Sequence, residues 1–102
     1  MLALAVGAGP ARAADGAAVY ENNCAICHGP DGRAQTPQGK KLRAHDLRES
    51  KMTEAEIERQ VREGSKNKSG AALMPAFGHD LTDAEIKAVI PKVLAFRPPP
   101  GH

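Results

Sequence analysis

The sequence predicts an all-α fold of three main helices joined by long loops, and three observations carry that reading. Thr53-Glu54-Ala55-Glu56 and Thr82-Asp83-Ala84-Glu85 are both capping boxes. In each, the threonine hydroxyl accepts the backbone N–H three residues on, and the glutamate there reaches back to the threonine N–H. Apolar residues at helical spacing follow both boxes. The segments Gly29 to Lys51 and Ser65 to Asp80 are rich in Gly, Pro, Ser and Asn and lack apolar/polar alternation, so they read as loops without strands.

Asp15 caps the first helix, expected to run to about Cys27, with Tyr20, Cys24 and Cys27 on one face. Gly16 shares that side, where the missing side chain lets another helix cross closely. The second helix ends at Gly64 and has Ile57 and Val61 as its apolar stripe; Met52 stands where it can staple onto Ile57. In the third helix Leu81 and Ile86 form the corresponding staple, and Ile86, Val89, Ile90, Val93 and Leu94 form the clearest amphipathic stripe in the chain. Pro91 removes the bond to the Lys87 carbonyl, so a kink or early end is expected there.

A chain of 102 residues makes one domain. Leu2 to Val6 is an apolar run and Ala11-Arg12-Ala13 a small-x-small cleavage pattern, so residues 1–13 read as a signal-peptide remnant, lacking the usual leading basic residues. Cleavage after Ala13 leaves a domain at 14–97 and an extended proline-rich tail at 98–102. The apolar run is too short to anchor the chain in a bilayer. With one Tyr, two Phe and no Trp, the domain has little bulk for a core of its own.

Cys24-Ala25-Ile26-Cys27-His28 is a C-x-x-C-H run, the attachment pattern of a c-type haem. Thiols three positions apart can each add to a vinyl group on one edge of a porphyrin, and the next residue turns its imidazole to the iron. Cys24 and Cys27 are the only cysteines, so both are consumed and no disulfide is left. A structural zinc site competes poorly: it commonly takes two spaced ligand pairs, and the second pair is missing. A thioredoxin-like dithiol wants a βαβ context that nothing near Cys24 suggests. Haem also supplies the bulk that the aromatic residues do not.

The sixth iron position has four candidates: Met74, Met52, His45 and His79. Met74 is the best of them, lying in a loop, restrained by Pro75 and flanked by Leu73 and Phe77, which can keep water out. A thioether is a soft, neutral ligand that favours ferrous iron, and Met/His ligation raises the potential over two imidazoles. Met52 is occupied as a staple. The expected haem-binding set is therefore Cys24, Cys27, His28 and Met74, with His28 and Met74 on the metal.

With the C-x-x-C-H run in its first helix, Met74-Pro75 in a late loop and a terminal amphipathic helix opening Leu81-Thr82-Asp83, the chain resembles a small bacterial class I cytochrome c over nearly all of residues 14–97. The resemblance implies a cytochrome c-like fold wrapped around one covalent haem c with His/Met-ligated iron, and contact between the first and last helices. It further implies a diffusible, monomeric electron carrier of the periplasm, with haem attached after export. A carbonyl at Pro37 is expected to accept from the His28 imidazole. One departure stands out: where the family places an aromatic residue in the last helix, this chain has Pro91-Lys92, with Phe96 further on, so the helix contact is expected to be smaller or re-registered.

If protein fills both axial sites, substrate cannot reach the iron, and outer-sphere electron exchange through the haem edge remains. No nucleophile or acid/base pair is arranged for another reaction, so the chain reads as no enzyme. Its partners are a redox donor and acceptor in weak, transient complexes, docking on Ala25 and Ile26 beside the thioethers and Pro75, Ala76 and Phe77 beside the methionine. Membrane contact comes only through such partners. A subunit of a larger oxidoreductase is the alternative; a haem enzyme or gas sensor with a labile sixth ligand ranks below it. Arg33, Lys40, Lys41, Arg43, Arg48 and Lys51 cluster in a stretch with only Asp46 and Glu49 as acids. A solvated loop is the plain reading of that cluster, a docking patch for an acidic partner or pairing with haem propionates the sharper one. Without a basic helix face or interleaved aromatics, nucleic acid is not a partner.

Overall fold

The computed structural model describes residues 14–98; the leader expected over residues 1–13 and the end of the tail, residues 99–102, lie outside them. Helices dominate, as expected. Asp15 caps α1 (Gly16–Asn23), its carboxylate accepting from the Ala17 and Ala18 N–H groups. The helix breaks at Cys24, where φ is −110°, and resumes as α2 (Ala25–His28), so the single first helix of the sequence reading is two.

A short helix, α3 (Pro37–Leu42), occupies what reads as loop in the sequence. Thr36 caps it by accepting from the Gly39 N–H, and Pro37 takes the first helical position, where a missing N–H is harmless. A 3-10 turn at Leu47–Glu49 follows, capped by Asp46. Both capping boxes form in full. In α4 (Glu54–Glu63) the Glu56 N–H donates to Thr53 at 3.1 Å and the Thr53 N–H to Glu56 at 2.8 Å; the same pair of bonds opens α5 (Asp83–Leu94) at Thr82 and Glu85.

The second loop region contains a hairpin that the sequence reading lacks. β1 (Ser65–Lys66) pairs antiparallel with β2 (Ala72–Met74), Ser65 opposite Met74 and Lys66 opposite Ala72. The Asn67 side chain closes its turn, accepting from the N–H groups of Ser69 and Ala71. Strands of two and three residues are too short to display a period of two.

The core joins α1, α4 and α5 through Val19, Tyr20, Ile57, Val61, Ile86, Val89, Ile90 and Val93, with Ile86 and Val89 wholly buried. Leu81 packs on this core as the staple onto Ile86 requires, whereas Met52 remains 39% exposed and outside it. Arg97 instead holds the Met52 backbone, donating to its carbonyl at 2.8 Å. Pro91 does not end α5, which runs on to Leu94. Lys87 and Pro91 are both exposed, and on that side water can satisfy the carbonyl that proline leaves free.

Of the helix pairs, α1 and α5 make the most extensive contact among the described residues. Gly16 sits at the crossing: a methyl group there would collide with the Ala88 carbonyl of α5. The aromatic residue of this contact is Phe96, just past the end of α5. Phe96 packs against Tyr20 with ring centroids 5.1 Å apart, and the Lys92 ammonium lies 4.9 Å from the Phe96 centroid and 5.8 Å from that of Tyr20. Lys92 caps the aromatic pair instead of replacing one member of it. Lys92→Gln keeps helix propensity and loses the cation, so it should cost about 0.5–1 kcal/mol. Chemical denaturation of the oxidised holoprotein, followed at the haem band, checks this.

Candidate functional site

The break at Cys24 sets that thiol at the N-terminus of α2 and Cys27 within the helix. Cys24 is buried against the core, Cys27 is half-buried, and the two are not joined in a disulfide. Burial, with Cys27 adding to it, pushes the Cys24 thiol up to about 11, and burial raises Cys27 as well, so both are neutral at neutral pH.

His28 ends α2, and its ring Nδ1 lies 3.0 Å from the backbone carbonyl of His45. A carbonyl can only accept, so Nδ1 carries the proton and Nε2 keeps its lone pair. Burial lowers the His28 pKa and so favours that neutral, ligating form. The carbonyl partner is therefore His45, not Pro37. Pro37 is the first residue of α3, where its carbonyl is committed to the helix. Past α3, Arg43 turns the chain through a left-handed conformation (φ 56°) and the Ala44 N–H closes on Gly39, returning His45 over His28.

The chain around His28 is held tightly. The Tyr20 hydroxyl donates to the Gly29 carbonyl, and burial pushes the Tyr20 pKa upward, keeping that donor protonated. The Thr36 hydroxyl donates to the Ile26 carbonyl at 2.6 Å, and Gly39 lies so close to the Cys27 carbonyl that a Cβ would collide with it. These contacts bind α3 to α2.

Met74 ends β2 and is half-buried against the core, so it stands in a strand where the sequence reading has a loop. Its position comes from α4. Gly64, at φ 67°, packs directly on the Met74 carbonyl, while Phe77 and Gly78 donate their N–H groups to the Val61 and Arg62 carbonyls at the end of α4. The Gln60 amide stands 3.5 Å from the Met74 sulfur and can donate to it. Among the other candidates for the sixth position, His45 is tied by its backbone to the His28 side, and Met52 and His79 are exposed.

Two thiols, an imidazole with a free Nε2 and a thioether braced against the core make a donor set that fits haem c. Among the described residues no three His, Cys, Asp or Glu side chains converge as a zinc site needs. Thr36, Gly39, the His45 carbonyl and Gln60 are absent from the sequence reading; only Thr36-Pro37, an N-cap followed by proline at the first helical position, carries a local signal.

The sequence family described as cytochrome c oxidase, cbb3-type, subunit III matches residues 11–91. The chain belongs to this family of c-type cytochromes. Cytochrome c6 of Microcystis aeruginosa is 37% identical over 81 residues, covering 79% of this chain and 93% of that protein. The solved structure of the KustC0563 c-type cytochrome superposes with a TM-score of 0.70 at 32% identity, covering 82% of this cytochrome and 99% of that chain. A chain of the Kuenenia stuttgartiensis reducing HAO-like protein complex Kustc0457/Kustc0458 shares the fold at a TM-score of 0.67 and 22% identity, over 80% of this cytochrome and 41% of that chain. The fold is that of a small monohaem class I cytochrome, the cofactor is one covalently bound haem c with its iron, and the cytochrome is an electron carrier. No helix among the described residues is long and apolar enough to cross a membrane.

Proposed function

We propose that this cytochrome is a soluble periplasmic carrier in which Cys24 and Cys27 would hold the haem as thioethers and His28, through Nε2, and Met74, through Sδ, would ligate its iron. The observation that carries the assignment is the His28–His45 hydrogen bond, which leaves Nε2 as the free donor and fixes the ring's orientation. Bound haem supplies an iron that cycles between ferric and ferrous states. The protein's part is to keep both axial positions filled. The His45 carbonyl orients His28 and raises its basicity, Gln60 and the α4 terminus brace Met74, and Phe77, packed on the core, would keep water from the thioether, whereas Leu73 is 37% exposed and does not shield it as the sequence suggested. Saturated in this way, the site would exclude substrate and leave outer-sphere exchange, with Ala25 and Ile26 next to the attachment cysteines and Pro75 and Ala76 next to Met74 in the chain. Complexes there are small and short-lived, as redox encounters are.

Export precedes haem attachment in this reading, and the mature chain starts at Ala14. The intact mass of protein exported with its own leader tests that: a mass beginning at Ala14 is expected, and retention of residues 1–13 would overturn the cleavage site. A second reading, service as a subunit of a larger oxidoreductase, is favoured by the family's description as an oxidase subunit. Native-size copurification from membranes separates it from a free carrier, which elutes alone.

A further inference from the structure

Every residue from Lys66 to Leu73 is exposed, and Met74 is the first on the returning strand to touch the core. The hairpin that leads to this thioether is thus shaped from within. Its two strand pairs are out of step: Ser65 faces Met74 but Lys66 faces Ala72, so Leu73 is an extra residue bulged out of the ladder. A bulge re-aims the side chain beside it, and here that side chain is Met74, turned to the core while Leu73 faces out. At the tip, Oδ1 of Asn67 accepts from the Ser69 N–H at 2.9 Å, the Ser69 hydroxyl at 2.7 Å and the Ala71 N–H at 3.0 Å. All three bonds end on one oxygen. The Asn67 N–H donates to the Ala71 carbonyl and the Gly70 N–H to the Asn67 carbonyl, and a side chain at Gly70 would meet nothing within 4 Å.

We propose that Asn67 is a positioning residue for the axial thioether: by closing the bulged hairpin it sets how often Met74 leaves the iron, and so how firmly the sixth position is kept shut. The proposal rests on the reading of Met74 as a ligand and adds to it what governs the ligand's lability. Met74 is held differently on its two sides. Toward the C-terminus, Phe77 and Gly78 are bonded to the end of α4. Toward the N-terminus the chain runs straight into the hairpin, whose exposed backbone has its own turn to keep it in place. Each exposed hydrogen bond is weak, but three on one acceptor shift a local opening equilibrium without unfolding the molecule. When the thioether leaves ferric iron it keeps its lone pair and stays neutral, no electron or proton moves, and a neutral nitrogen base can bond in its place.

The test mixes ferric holoprotein with imidazole in stopped flow and follows loss of the far-red band of the iron–thioether bond. At high imidazole the rate levels off at the rate of thioether departure. N67A should raise that ceiling roughly tenfold, whereas N67D, which keeps the accepting oxygen, should stay within about twofold of the parent. The control T53A removes the cap at the far end of α4 and weakens the fold as a whole, yet should leave the ceiling in place. Amide hydrogen exchange of ferric N67A without imidazole should quicken over residues 66–74 and stay unchanged in α1 and α5. A ceiling in N67A equal to the parent's, an N67D protein as fast as N67A, or a T53A protein as fast as N67A would overturn the role of Asn67 while leaving ligation by Met74 intact. A parent protein without the far-red band would overturn both.

Discussion

Gly16→Ala is expected to destabilise this cytochrome by about 2 kcal/mol, although alanine is the better helix former by ~1 kcal/mol. The methyl group has nowhere to go. It would collide with the Ala88 carbonyl, a backbone group of the helix that carries the most buried side chains among the described residues, Ile86 and Val89. Relief requires α1 and α5 to part, which would also loosen the contact of Tyr20 with Phe96. Chemical denaturation of the oxidised holoprotein gives the midpoint. A variant as stable as the parent, or more so, would mean that the helices do not meet at Gly16.

Met74→Ala should leave the haem attached and change its chemistry most. Without the thioether the sixth site opens to water, carbon monoxide binds the ferrous iron, and the potential falls by a sizeable part of the ~0.8 V span that axial ligands command. The far-red band of an iron–thioether bond should vanish with it. Met52→Leu should leave that band alone, since Met52 lies outside the core, is 39% exposed, and makes its hydrogen bonds through its backbone. An unchanged spectrum in Met74→Ala would pass the ligand role to another residue. Potentiometry and carbon monoxide binding read the two variants side by side.

What was legible in the sequence was local. The threonine–glutamate boxes at Thr53 and Thr82 depend on contacts within four residues, and both formed as written. Gly16 could be read because a glycine inside a helix needs a packing reason, and the C-x-x-C-H run because its chemistry lies within one turn. What escaped depends on distant parts of the chain. The acceptor for His28 lies seventeen residues away, brought there by a left-handed turn at Arg43 and a short helix lacking an apolar stripe of its own. Gln60 reaches the Met74 sulfur only because a two-stranded hairpin folds back along α4. The register of Phe96 against Tyr20 follows from where α1 crosses α5, which no local pattern encodes. Pro91 shows the reverse: the helix runs on to Leu94 past the proline, so the early end that the local rule allowed does not occur.

The central claim, that one covalent haem is held by His28 and Met74 in a site closed to substrate, is tested most directly by the optical spectrum of the holoprotein in both oxidation states. A sharp α-band of c-type position on reduction, a far-red iron–thioether band on oxidation, and colour that stays with the polypeptide under denaturing conditions are the expected result. A high-spin ferric spectrum without the far-red band, or haem that acidified solvent extracts from the chain, would contradict it.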